Sequence, residues 1–206
     1  MKSFVRKLVA LLAFLIVLGC FGIASYWLSL GDERKLSRAL STHQGFVVQS
    51  FFSPDDDLRS ILIGLIDAEK KRISFAIYTL TDKAITQALI RAARRGVLVE
   101  GVVDRSYGQG YHSKVCTLAN AQIPLWVFQT SSNESEAGLM HNKFMLFTQT
   151  IEGKALVWTG SYNFTMRANE KNQENVVIVE NEALFEAYTK SFERLKKRSL
   201  QLSGRC

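Results

Sequence analysis

Short runs rich in β-forming residues alternate with amphipathic helical segments along most of this 206-residue chain, and that alternation narrows the possible folds most. Phe46-Val47-Val48-Gln49-Ser50-Phe51-Phe52 reads as a first strand. Ser53-Pro54-Asp55 signals a helix start, and Leu58, Ile61, Leu62, Leu65 and Ile66 then recur at spacings of three and four. The alternation continues with a strand over 73–78, a helix over 82–95, a strand over 97–103, a shorter helix near 112–121 and a strand over 125–128. Strands separated by helices imply βαβ units and parallel pairing. Past a polar loop at 131–138, strand-like runs at 139–147, 155–159 and 175–179 precede an amphipathic helix over 182–197. The expected fold is therefore α/β, a mixed sheet with parallel and antiparallel strands.

Ahead of this domain, Leu8 to Gly31 form 24 consecutive uncharged residues, enough at the helical rise to cross a bilayer. The apolar run continues through Phe21, Ile23, Tyr26, Trp27 and Leu30, longer than a cleaved signal peptide requires. The expectation is an uncleaved N-terminal transmembrane helix over 1–31, a charged stalk over 32–45 and one folded domain over 46–200. Val17-Leu18-Gly19-Cys20 resembles a lipoprotein attachment box, a second route to a membrane tether. Lys2, Arg6 and Lys7 precede the run and place the amino terminus in the cytoplasm, with the domain extracytoplasmic.

The net charge is +7, but without those three residues 23 basic side chains face 19 acidic ones. That surplus suits a phosphate-bearing substrate or an anionic membrane and does not choose between them. Cys20, Cys116 and Cys206 are too scattered for a zinc site. A Cys116–Cys206 disulfide is open to the chain in an oxidising compartment, although a buried free Cys116 is the expectation.

Chemistry concentrates in Met140-His141-Asn142-Lys143-Phe144 and in Gly160-Ser161-Tyr162-Asn163. Alternate residues of a strand share a face, so His141 and Lys143 are expected side by side, with Met140, Asn142 and Phe144 turned away. Ser161 and Asn163 repeat that relation, and Gly160 permits close backbone approach. An imidazole can attack phosphorus or deliver a proton, while ammonium, hydroxyl and amide groups donate to phosphoryl oxygens. This set suits phosphodiester cleavage and needs no metal. His112-Ser113-Lys114 repeats the H-x-K spacing, but near a helix start its two ends diverge and no G-S-x-N follows, so neither it nor His43 is assigned a role. Phe144, Met145, Leu146, Phe147 and Trp158 read as sheet core.

His141, Lys143, Gly160, Ser161 and Asn163, with Asn172-Gln173-Glu174-Asn175 downstream, resemble the signatures of the phospholipase D superfamily. The layout over 46–198 is similar to its small single-motif members, the bacterial secreted endonucleases and the mitochondrial cardiolipin hydrolases. The resemblance implies a mixed sheet flanked by helices and a metal-independent phosphodiesterase with no cofactor. It implies catalysis by His141, Lys143, Ser161 and Asn163, with Glu174 orienting the histidine, and phosphoryl binding by Lys143, Ser161 and Asn163. The family mechanism uses one histidine as nucleophile and a second as acid and base. A single motif therefore implies a homodimer with a shared site. The family aspartate position holds Thr148, whose strand parity points it away from the catalytic face, and a non-catalytic phosphate- or lipid-binding member stays open on that account. A membrane tether favours phospholipid as substrate, while nucleic acid is the alternative, with Arg91, Arg94, Arg95 and Arg105 available to a backbone.

Overall fold

The computed structural model describes residues 48–108, 113–129 and 138–202. The expected anchor and stalk, most of the 131–138 loop, His43, His112, Cys20 and Cys206 lie outside the described residues. In chain order the elements are β1 (Val48–Ser53), α1 (Leu58–Ala68), β2 (Arg72–Ile77), α2 (Lys83–Arg94), β3 (Leu98–Asp104), α3 (Arg105–Gly108) and α4 (Val115–Asn120). They continue with β4 (Leu125–Phe128), β5 (Lys143–Phe147), β6 (Leu156–Gly160), α5 (Met166–Glu170), β7 (Glu174–Val179), α6 (Glu182–Lys197) and β8 (Ser199–Gln201).

The strands form one sheet in the order β1-β7-β6-β5-β2-β3-β4-β8. β2, β3 and β4 pair in parallel, as the intervening helices require. β5, β6, β7 and β1 extend the sheet from β2 by antiparallel pairing, and β8 closes the other edge against β4. β2 is central, and Ile73 through Ile77 are all buried because both faces of the sheet are covered. On one face Ala76, Val102, Phe144, Leu146 and Val157 pack with Phe192 of α6. Phe144, Met145, Leu146, Phe147 and Trp158 are buried, as their pattern implied.

Side-chain caps place the helices. Asp57 accepts from the Ser60 N–H at the start of α1, Asp82 from Ala84 and Ile85 at the start of α2, and Asn181 from Leu184 at the start of α6. The first cap moves the start of α1 past the expected 53–55 signal. α3, α5 and β8 were not foreseen: each is six residues or fewer, too short for periodicity to register.

Two expectations are corrected. Cys116 is half-buried and disulfide-bonded, not a buried free thiol. β5 starts at Lys143 instead of 139, because its partner β2 ends at Ile77, opposite Lys143. Residues 138–142 therefore lie outside the ladder.

At the opposite end of β5, buried Glu69 accepts hydrogen bonds from the backbone N–H groups of Lys71, Arg72 and Gln149 at 2.7, 3.0 and 3.0 Å. Glu69→Ala leaves those donors unpaired and is expected to lower stability by about 2–4 kcal/mol, read as a lower denaturant midpoint, with Glu69→Gln intermediate.

Candidate active site

Four neighbouring strands end together. Lys143 opens β5 opposite the last residue of β2, while Gly160 ends β6 opposite Val176 near the start of β7. His141, Lys143, Ser161, Asn163 and Glu174 all lie at this end of the sheet. A Cβ on Gly160 would collide with the Asn175 carbonyl, so glycine is what lets β6 and β7 approach here.

Lys143 is buried, 8% exposed, although it carries an ammonium. Its Nζ donates to the His141 carbonyl at 2.6 Å and sits 3.1 Å from His141 Nδ1. It also lies 5.1 Å above the centre of the Tyr78 ring. Burial holds this lysine below the ordinary value of 10.5, and the nearby Glu174 charge opposes that shift. An ammonium has three N–H bonds, so two are directed at His141 and one is left for a substrate oxygen. Donation to Nδ1 puts the proton of a neutral imidazole on Nε2, and His141 itself is exposed. The expected H-x-K juxtaposition is thus achieved by the reach of the lysine, because the strand has already ended. Met140 is buried and Asn142 exposed, so they do not share a face as strand alternation implied.

Ser161 and Asn163 engage different neighbours. Ser161 Oγ accepts from the Asn175 N–H at 3.0 Å, and Asn163 Oδ1 accepts from the Thr79 N–H at 3.1 Å. Each side chain spends an acceptor on backbone, which orients its donor; Asn163 Nδ2 has no acceptor among the described residues. Phe164 locks the same loop: its N–H donates to the Thr79 carbonyl, and its carbonyl accepts from Thr81 and Asp82. Glu174 accepts from Asn172 Nδ2 at 2.9 Å and has no hydrogen bond to His141. Its connection to the motif is through its charge on Lys143.

Sequence reasoning missed Tyr78 and Asp104. The Tyr78 ring centre lies 4.4 Å from that of His141. Buried Asp104 accepts from the N–H of Met140 at 2.8 Å, fixing the residue before the histidine. The available signal was position, since both stand at the carboxyl ends of parallel strands. Among the described residues no group of three or more His, Cys, Asp or Glu is placed to hold a metal ion.

The fold places an imidazole, an ammonium, a hydroxyl and an amide at one end of the sheet. A family model, Cardiolipin synthase, PLD-like domain, matches residues 62–196. The chain belongs to the phospholipase D superfamily. It is a phosphodiesterase hydrolase of that superfamily, as its relatives indicate. It is 29% identical over 193 residues to a phospholipase D of Rickettsia bellii, spanning 89% of this chain and 90% of the relative. It is 28% identical over 141 residues to the mitochondrial cardiolipin hydrolase of Xenopus laevis, spanning 68% of this chain and 61% of that protein. The phospholipase D family member Nuc from Salmonella typhimurium superposes with a TM-score of 0.66 at 30% identity, over 78% of this chain and 100% of Nuc. Thr148, where the superfamily signature has aspartate, donates its N–H to Arg72 at the far end of β2. Five steps along the chain separate it from Lys143, roughly 17 Å, so it stands far from the His141–Lys143 pair.

Lys143→Met should reduce turnover by on the order of ~10²-fold or more. It should also raise the denaturant midpoint at neutral pH, because a desolvated cation is removed. The native state binds fewer protons at Lys143 than the unfolded chain does, between its lowered value and 10.5. Wild type should therefore gain stability relative to Lys143→Met as pH rises through that window, a trend checked by unfolding both proteins at pH values from neutral to alkaline.

Proposed function

We propose that this enzyme is a membrane-tethered phospholipase D, acting through a phosphohistidine at a site completed by a second copy of the chain. The observation supporting the lipid reading is a set of exposed apolar side chains at the His141 end of the sheet, although Val48 and Leu98 are equally exposed at the other end. Phe52, Leu139 and Met166 are each more than half exposed, and all stand at the catalytic end of the sheet. Apolar side chains at the same end of the sheet as the Lys143 ammonium fit a headgroup whose acyl chains lie alongside. The 24-residue uncharged N-terminal run would keep that cleft near a bilayer on the extracytoplasmic side. The rickettsial relatives named phospholipase D support the same reading.

In the proposed reaction His141 Nε2 attacks phosphorus, the P–O bond to the headgroup breaks, and His141 of the partner subunit protonates the leaving oxygen. That second imidazole then takes a proton from water, and the resulting hydroxide displaces His141 to leave phosphatidic acid. For His141 to attack, Lys143 must release Nδ1 and turn its N–H to the phosphoryl oxygens. The partner's imidazole must enter as imidazolium, protonated on both nitrogens, so the partner's Lys143 likewise turns away from Nδ1, and loss of the Nε2 proton to the leaving oxygen leaves a neutral ring.

The nucleic-acid reading loses part of its support. Arg91, Arg94 and Arg95 lie at the end of α2 remote from Asp82, hence at the opposite end of the sheet from His141, and Arg91 and Arg95 are engaged by Asp67. Arg105 alone of that set stands at the catalytic end.

Full-length protein is assayed on phospholipid vesicles and on single-stranded DNA and RNA, in excess EDTA. Headgroup release from vesicles that survives chelation is the expected result; preferential cleavage of nucleic acid would replace the lipid reading, and restoration only by a divalent ion would overturn the mechanism. When wild-type and His141→Ala chains are mixed and exchange is verified, activity should fall as the square of the wild-type fraction. A linear fall would mean that each chain works alone.

A further inference from the structure

Tyr78 touches both polar members of the H-x-K pair from outside the motif. Its ring centre lies 4.4 Å from the His141 ring at a 60° tilt, and the Lys143 ammonium lies 5.1 Å from the same centre. Its backbone N–H donates to the carbonyl of Asn142, the residue between them, at 3.1 Å. The next residue, Thr79, holds the Asn163 side chain.

His141 needs such a support. It stands two residues before the first residue of β5 and is exposed, so no strand neighbours confine its side chain. Tyr78 by contrast directly follows β2, which is hydrogen-bonded on both sides and does not move easily. It is half-buried, unlike the wholly buried Phe75, Phe144 and Phe147 of the core. A tilted ring beside an imidazole and under an ammonium is favourable through the negative charge on its face.

We propose that Tyr78 is a positioning residue, whose ring holds the His141 imidazole and the Lys143 ammonium in reactive register. The inference rests on His141 being the reacting group, as proposed above. Misplacing a reacting group by a fraction of its van der Waals radius lowers the rate constant without weakening substrate binding in proportion.

The test uses the full chain and bis(p-nitrophenyl) phosphate, a soluble phosphodiester independent of the lipid question. Tyr78→Leu should lower kcat roughly 10- to 100-fold while KM stays within about 3-fold. Tyr78→Phe should recover most of that loss. In proton NMR the His141 ring resonances, assigned by their absence in His141→Ala, should be shifted upfield in wild type and Tyr78→Phe by the ring current. Wild-type kcat in folded Tyr78→Leu, a loss confined to KM, or equal impairment of Tyr78→Phe would overturn the proposal. If Tyr78→Leu does not fold, the other two proteins decide: His141 resonances at unshifted positions in wild type, or a crippled Tyr78→Phe, would each sink it. Turnover surviving in His141→Ala would overturn the reading of the site itself, and that outcome is separate from any of these.

Discussion

The burial of one ammonium at the end of an apolar sheet shapes everything around it. Lys143 gives up most of its water, and what replaces that water is the His141 carbonyl, the face of Tyr78 and the more distant charge of Glu174. These groups offset the cost of desolvation only in part, which is why its proton is held less tightly than in an ordinary lysine. A phosphoryl anion would supply the missing compensation. An ammonium carries three N–H donors, and donors of this kind are what a phosphoryl group requires.

Such a cation can be held in place because the sheet changes character beneath it. β2 pairs in parallel with β3 and antiparallel with β5, so the carboxyl ends of β2 and β6 meet the amino ends of β5 and β7 at one edge. Beyond that edge the ladder stops, and side chains take over the backbone's hydrogen bonding. Asn163 caps Thr79, Ser161 caps Asn175, and Asp104 caps Met140. Each bond removes freedom from a loop that carries chemistry, which is preorganisation achieved without lengthening any strand.

The two ends of the same strands have separate duties. Glu69 ties the start of β2 to the turn after β5, and that is also where Thr148 stands. A carboxylate at the C-cap of α1 therefore satisfies backbone donors at the end of β5 where Thr148 replaces the family aspartate. The other end of β5 is shaped by Lys143, Asn163 and Gly160.

Much of this was legible in the sequence by itself. Period-two and period-3.6 patterns located most strands and the long helices, because burying one face of each element demands those periods. The H-x-K and G-S-x-N spacings marked His141, Lys143, Ser161 and Asn163, since phosphoryl chemistry restricts which residue types can stand together. Only the tertiary structure decided where β5 begins, that Glu174 bonds to Asn172 instead of His141, and that Tyr78 and Asp104 lie against the segment that carries His141. It likewise placed Arg91, Arg94 and Arg95 away from the His141 end of the sheet, since a helix running from one end of the sheet to the other carries its last turn to the far side. These features arise from contacts between residues distant along the chain, and local periodicity carries no information about which strand end will face which.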